Sequence, residues 1–425
     1  MTRLAPLLTV LLVACPTADD DDTPIEPAEN WASDIVSVDL QLDLDELTGS
    51  ATIRFADDGA STASLDVSGL DVTDVAFNVM DVSFLSEEND GRLDMGFTPY
   101  VGASVTVDYR FDHAAGYDGF LERGSTILWP YHCGNLYPCD PDPNDDFTLT
   151  MDVTSAEDVV FPPGPVERVP AYQPAVARGS YTHVPLGRTA RGTDVAMWTT
   201  PAVEATAPDG TSDLVAVVDW LEDTLGPYPF GDSVGSVAVN WGPGAYGGLE
   251  NHPFWHVSEI AFGDPVVHAH EAAHGWFGNG VRLACWEDFV LSEGVVTYLA
   301  ARALTVVAGD DAGMEVWDSY ERELGNLLAG DDRVVLPDDT CGEIDVLEDL
   351  WSRIVYMKGA LFLRDIADAV GASVLDDALG VFARSRVGTA ARMQDLLDVI
   401  EAETGFDPAG LAEAWLRTEG VPEGR

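Results

Sequence analysis

Lysine is almost absent from this sequence. Lys358 is the only one in 425 residues, and 21 basic residues face 74 acids for a formal net charge of −53. A field of that sign repels nucleic acid and anionic lipid head groups, which excludes polyanion binding. A saline habitat and a GC-rich genome would each produce such acidity, and neither bears on the chemistry. The five cysteines never occur with Cys-x-x-Cys spacing, so a cysteine zinc site is not expected. Internal repeats are missing too, and beyond the N-terminus no segment is expected to reach membrane-spanning length. What remains is the composition of a globular chain, 46% hydrophobic and 22% charged. Its length allows two or three domains, each with a full core.

The N-terminus "MTRLAPLLTVLLVAC" carries one early Arg and a short apolar run before Leu12-Val13-Ala14-Cys15. The run is too short to span a bilayer and reads as a secretion signal over residues 1–14. Small residues before Cys15 match the pattern of a bacterial lipobox, in which that cysteine is lipidated. Residues 15–32, polar and punctuated by proline, are expected to form an acidic tether. The expected destination is the cell envelope, periplasmic or extracellular, with the membrane met through a lipid anchor only. Export leaves Cys133, Cys139, Cys285 and Cys341 in an oxidising compartment. They allow three pairings, among which the sequence does not choose. Cys133 with Cys139 and Cys285 with Cys341 is the preferred arrangement.

Between residues 33 and 200 the apolar residues alternate in short runs such as "DIVSVDLQLDLDELTGSATIRFA" and "DFTLTMDV". That period of two, broken at Gly and Pro turns, predicts an antiparallel β domain. After residue 200 the period changes. "LVAVVDWLEDTL" reads as a helix closed by Gly226 and Pro227, "DSVGSVAVNWGPGAYGG" as one more strand-like run, and most of the chain beyond Asp264 as helix. Asp264-Pro265 is a helix start, with an N-cap acid before a proline at the first helical position. The fold class is therefore α+β, with residues 201–425 forming a mainly helical second domain.

The stretch "HAHEAAHGWFGNGVRLACWEDFVLSEG" holds the chemistry. His270 and His274, four residues apart, lie about 40° apart around a helix and can grip one ion. Glu271 between them cannot easily join that coordination but can reach an activated water as general base. His268 lies about 200° from His270 and is expected to be a packing or surface histidine. A catalytic zinc takes three protein ligands. Glu293, separated from His274 by eighteen residues and at the start of another helix, offers the third, with Glu287 and Asp288 as competing acids.

These residues resemble the zinc signature of the aminopeptidase N family, the gluzincin exopeptidases. "GGLEN" (Gly247 to Asn251) is similar to the family's Gly-Ala-Met-Glu-Asn motif, and "YMKG" (Tyr356 to Gly359) to its Tyr-x-Lys-Gly motif. "HCGNLYPCDPDP" from His132 is similar to the stretch that closes the family's N-terminal β domain. The resemblance covers residues from about 33 to 425. It implies a thermolysin-like zinc-peptidase domain holding one Zn2+ per chain through His270, His274 and Glu293, with Glu271 activating water. It also implies that Tyr356 stabilises the oxyanion, that Glu250 holds a substrate α-ammonium, and that Gly247, Gly248 and Asn251 line the peptide. The implied partners are peptides with a free N-terminus.

Gly275 stands where the family has Gln, Ser292 where it has Asn, and Leu249 where it has Met. Trp129 lies near the place of a substrate-binding Gln or Glu in many members. The sequence ends where the family's catalytic domain ends, so the expectation is a short form. The activity expected is zinc-dependent removal of N-terminal residues. A related endopeptidase and a non-catalytic peptide-binding lipoprotein are the alternatives.

Overall fold

A computed structural model describes residues 26–422 except 57–59, 79–83, 98–103, 331, 338–340 and 342–343. The expected signal peptide, Cys15 and the tether as far as residue 25 lie outside the described residues. The last part of the expected tether is already structural. The Asn30 side chain donates to the Thr62 carbonyl at 2.7 Å, and its own carbonyl accepts from Ser64 N at 2.8 Å.

The first domain is built on a six-stranded sheet ordered Val166–Val169, Phe147–Thr154, Ile35–Asp43, Thr48–Phe55, Ser104–Phe111, Leu70–Phe77. Along Ile35–Asp43 the residues Val38, Leu40 and Leu42 turn inward while their neighbours face out, as alternation demands of a half-buried sheet. One pairing departs from the expected antiparallel pattern, because Ile35–Asp43 and Phe147–Thr154 run parallel. A period of two is the same in both kinds of ladder and cannot tell them apart. A three-stranded antiparallel sheet of Thr62–Asp66, Arg92–Phe97 and Phe84–Asn89 lies beside it.

The expected division at residue 200 cuts through the second main sheet. Its order is Thr182–Arg188, Asp194–Thr199, Ser233–Val239, Phe254–Ser258, Gly248–Leu249. Asp194–Thr199 pairs in parallel with Ser233–Val239, so two strands before position 200 belong with the sheet that supports the helices. Nine helices follow among the described residues: α1 Ala207–Thr211, α2 Leu214–Leu225, α3 Pro265–Ala273, α4 Phe289–Ala308, α5 Asp310–Leu327, α6 Arg353–Val370, α7 Ala372–Arg386, α8 Met393–Thr404 and α9 Ala409–Leu416. Gly226 ends α2, as read from the sequence, and left-handed Gly405 ends α8.

The segment Trp286–Ala308 is long and apolar enough to cross a membrane by length and composition, contrary to expectation, but 78% of its most apolar window is buried in the protein. It is the central core helix. It crosses α6 at a pair of glycines: a Cβ on Gly294 would stand 2.8 Å from Gly359 Cα, and one on Gly359 would stand 2.5 Å from Gly294 Cα. Only two glycines let these backbones meet so closely. Glu293 and Lys358 flank that crossing, with Tyr356 one turn earlier on α6.

Lys358 is fully buried, and its ammonium donates to the carbonyls of Arg333 at 2.9 Å and Thr418 at 3.0 Å, with Asp332 at 3.8 Å. The one lysine thus ties two chain segments to α6 and is not a solvated surface charge. Both preferred disulfides are present, Cys133–Cys139 and Cys285–Cys341.

Candidate metal centre and cleft

Helix α3 starts as its sequence dictates: the Asp264 carboxylate accepts from Val266 N at 2.9 Å, and Pro265 takes the first position. Nine residues later the helix ends, which leaves His270 in its last turn and His274 as the C-cap. One turn apart, their imidazoles converge. His270 Nε2 lies 3.3 Å from His274 Nε2 and 3.1 Å from Glu293 Oε2, and His274 Nε2 lies 3.6 Å from the same oxygen. Atoms bound at about 2.0–2.2 Å to a tetrahedral zinc stand about 3.3–3.6 Å from one another. The donor set and its spacing fit a zinc ion.

The remaining nitrogens fix the rings. Thr297 Oγ1 donates to the Glu293 carbonyl at 2.6 Å. Its lone pairs therefore face His270 Nδ1 at 3.3 Å, which must carry the proton. His274 Nδ1 donates to the Phe277 carbonyl at 3.0 Å. Both Nε2 lone pairs are thereby left for a ligand, the usual service of outer hydrogen bonds to a metal-binding histidine. Electrostatics agree. Burial alone would strip a proton from His274, yet Glu293, Glu250 and Glu271 raise its affinity to about 10. Burial would likewise lift Glu293, but the two histidines pull it to about 2. Three buried carboxylates favour positive charge at this point.

His268 is outside this group. Its Nε2 donates to the Phe262 carbonyl at 2.8 Å and its Nδ1 accepts from Ser236 Oγ at 2.8 Å, so it is a satisfied core histidine. The competing acid Asp288 is engaged elsewhere, accepting from Met393 N at 2.8 Å and pairing with Arg392.

Glu271 is buried beside the centre, and its carboxylate, that of Glu250 and a nitrogen of His274 lie within 4.8 Å of one another. Burial drives its carboxyl well above the usual range. The close approach depends on Gly248, where a Cβ would meet Glu271 Oε1 at 2.3 Å. His252 Nε2 donates to the Glu271 carbonyl at 2.9 Å, and Tyr228 OH donates to His252 Nδ1 at 2.7 Å.

Gly248–Leu249 is the edge strand of the five-stranded sheet, and Gly247, Gly248 and Glu250 line a cleft of about 420 Å3 together with His270, His274 and Tyr356. Asn251 does not line it. It is buried, and its amide donates to the Gln173 carbonyl at 3.2 Å. Together with Asn279, which donates to the Glu250 carbonyl, it braces the strand and does not meet the cleft, contrary to the expected contact with a peptide. Tyr356 on α6 stacks over His270 with centroids 5.8 Å apart. Burial raises its phenol well above the ordinary value, so it remains a neutral donor.

Thr297 and Arg353 were not read from the sequence. Thr297 stands four residues after Glu293, a spacing that could have flagged it. Arg353 stands three before Tyr356, with its guanidinium 5.0 Å from that ring and paired with Glu323 at 2.8 and 3.1 Å.

Residues 264–415, which carry this centre, match the peptidase family M1 domain. That segment is a peptidase family M1 domain. Tricorn protease-interacting factor F2 of Thermoplasma volcanium is 30% identical over 166 residues, 37% of this chain and 20% of that protein. Leucine aminopeptidase 2 of Neosartorya fischeri is 27% identical over 281 residues, 58% of this chain and 43% of that one. The chain thus spans less than half the length of these relatives. Among solved structures, the M1 zinc metallopeptidase of Deinococcus radiodurans, as a mutant bound to a Tyr-Ser-Ala substrate, superposes with a TM-score of 0.76. The identity is 19%, covering 92% of this chain and 95% of that one. Leukotriene A4 hydrolase of Saccharomyces cerevisiae gives 0.74 at 19% identity, covering 93% and 70%. These likenesses establish the two-domain fold, a β domain followed by a helical peptidase-type domain.

Proposed function

We propose that this chain is a zinc-dependent aminopeptidase that hydrolyses the N-terminal bond of peptides, with one zinc ion held by His270, His274 and Glu293. The observation that carries the reading is the grouping of Glu250 with Glu271 and His274 within 4.8 Å at the end of an exposed strand edge. A peptide laid along Gly247–Leu249 as an added strand meets a buried carboxylate where its chain must end. That carboxylate is complementary to an α-ammonium and hinders a chain continuing past it.

A zinc ion at the centre supplies a nucleophile from water at neutral pH and a Lewis acid toward the scissile carbonyl. The protein does the rest. Glu250 holds the ammonium and so sets which bond lies at the centre. Glu271 takes a proton from the attacking water and delivers it to the leaving amide nitrogen. Tyr356, kept neutral by burial, donates a hydrogen bond to the carbonyl oxygen as negative charge develops there. Thr297 and the Phe277 carbonyl hold the two imidazoles in the required tautomers.

The place of action proposed is the cell envelope, with Cys15 lipidated and residues 1–14 removed; the small residues before Cys15 and the short apolar run support this. Retention of label from a radiolabelled fatty acid in wild type, and its loss in Cys15→Ala, tests it.

The activity is tested with aminoacyl fluorogenic substrates, each with a free and an acetylated N-terminus, with and without a zinc chelator. Chelator-sensitive cleavage of the free-amine substrates alone is expected. Cleavage of blocked substrates would indicate an endopeptidase. Zinc binding without any turnover would indicate a peptide-binding protein.

A further inference from the structure

The cleft has two unlike sides. Toward α5 it is ionic, with Glu323 paired to Arg353 and with Asp264 at the start of α3. Toward the Gly247–Leu249 strand it is aromatic. Trp129, Tyr246 and Trp351 line that side. The Trp129 ring lies 6.2 Å from Tyr246 with an edge-to-face tilt, and Tyr246 lies 5.3 Å from Trp351. Behind them Phe289 touches both Trp129, at 5.6 Å, and Tyr356, at 6.1 Å. The rings thus form a continuous wall from Tyr356 to the mouth of the cleft.

The ammonium anchor and the wall belong to one segment, since Tyr246 precedes Gly247–Glu250. If Glu250 holds the ammonium and Tyr356 faces the carbonyl, the substrate Cα lies between them. Its side chain then leaves on the aromatic side. Trp129 is held from behind by Phe289 and, at 6.2 Å, by Trp286, so the wall is preorganised. Trp351 is 40% exposed, an apolar face that a bound side chain would cover. Of the charged groups nearest the rings, Glu250 would be taken by the ammonium and Arg353 is already paired with Glu323, so an acidic or basic side chain directed at the rings would lose water without a free partner.

We propose that Trp129, Tyr246 and Trp351 form the subsite for the N-terminal side chain and select large apolar residues, aromatic ones and leucine or methionine, over small or charged ones. The proposal rests on the aminopeptidase reading for its substrate orientation. Covering Trp351 and filling the space beside Trp129 with a phenylalanine side chain is worth on the order of tenfold or more in discrimination against alanine.

The test uses the full zinc-loaded protein. kcat/KM is measured for phenylalanyl, leucyl, alanyl, glutamyl and arginyl fluorogenic substrates with wild type, Trp351→Ala, Trp351→Phe and Trp129→Leu. Binding of free L-phenylalanine and L-alanine is measured by calorimetry alongside. Wild type is expected to favour phenylalanyl and leucyl over alanyl substrates by at least tenfold, and to bind L-phenylalanine correspondingly tighter than L-alanine. Trp351→Ala, which alters an exposed side chain, should pull the phenylalanyl-to-alanyl ratio toward one, mainly through KM, while Trp351→Phe restores most of it. Absence of turnover with every substrate would remove the aminopeptidase reading, and the amino-acid binding ratio would still decide the subsite. Equal binding of the two amino acids, a preference for alanyl, glutamyl or arginyl substrates, or a ratio untouched in Trp351→Ala would overturn the subsite.

Discussion

Glu250, Glu271 and Glu293 lie together in the cleft, and Asp140, Asp145 and Asp146 lie together in the loop that follows Cys139. Burial raises carboxyls in both places, Glu250 to about 7 against the pull of His274, Asp145 to about 7 and Asp140 to about 6. The loop, however, satisfies itself. Asp140 accepts from Asp142 N at 3.0 Å, Asp142 from Asn144 N at 2.9 Å and Asp145 from Asp146 N at 2.9 Å. Asp146 is paired with Arg282. In the cleft the carboxylates instead turn toward two imidazoles. Among the described residues, ligand atoms converge at the cleft and not at this loop. A chain carrying 74 acids has many acidic clusters, and what separates a site from a folded loop is where the lone pairs point.

The contrast can be broken by substitutions of decreasing weight. Glu271→Gln keeps shape and every metal ligand but removes the base, so kcat should fall about a thousandfold with zinc content unchanged. Elemental analysis beside the kinetic measurement checks both halves. Glu250→Ala removes a charge-assisted contact to the ammonium, which predicts a loss of about ten- to a hundredfold in kcat/KM on free-amine substrates. Selectivity over acetylated peptides should shrink with it, and selectivity that persists would take Glu250 out of that role.

In the loop the expected effect is on stability and is smaller. Asp145 has an ordinary carboxyl value near 3.8 and a folded value of about 7. The folded chain therefore binds this proton more tightly than the unfolded chain, and its contribution to stability is lost as pH rises from about 4 through 7. Asp145 is half-buried, and its remaining contact with solvent reduces the gain from Asp145→Asn at pH 8 to about 1 kcal/mol. Thermal melts at pH 5 and pH 8 should show the variant ahead of wild type at pH 8 and by a clearly smaller margin at pH 5, with activity unchanged. An advantage present equally at both pH values would refute that account of the loop.

The parts of the molecule legible in the sequence are those whose geometry is local. His270, Glu271 and His274 share one helical turn, Asp264-Pro265 starts that helix, and Glu293 begins the next long one. Thr297 obeys the same short-range logic. The aromatic wall was not legible, because residues 129, 246 and 351 come from three distant segments that carry no periodic signal. Asn251 shows the limit of a motif, which places the backbone but not the direction of the side chain. The division at residue 200 failed for a related reason: alternation marks Thr182–Arg188 and Asp194–Thr199 as strands without saying which sheet they join. The meeting of Gly294 with Gly359, which sets Glu293 beside Tyr356, is a tertiary contact between two otherwise ordinary glycines.

The most direct test is the zinc content of purified wild type, Glu293→Ala and Asp145→Asn after dialysis against a weak chelator. One zinc per chain in wild type and Asp145→Asn, and little or none in Glu293→Ala, is the result predicted. Zinc held equally by Glu293→Ala, or lost from Asp145→Asn alone, would contradict the assignment of the metal centre to His270, His274 and Glu293.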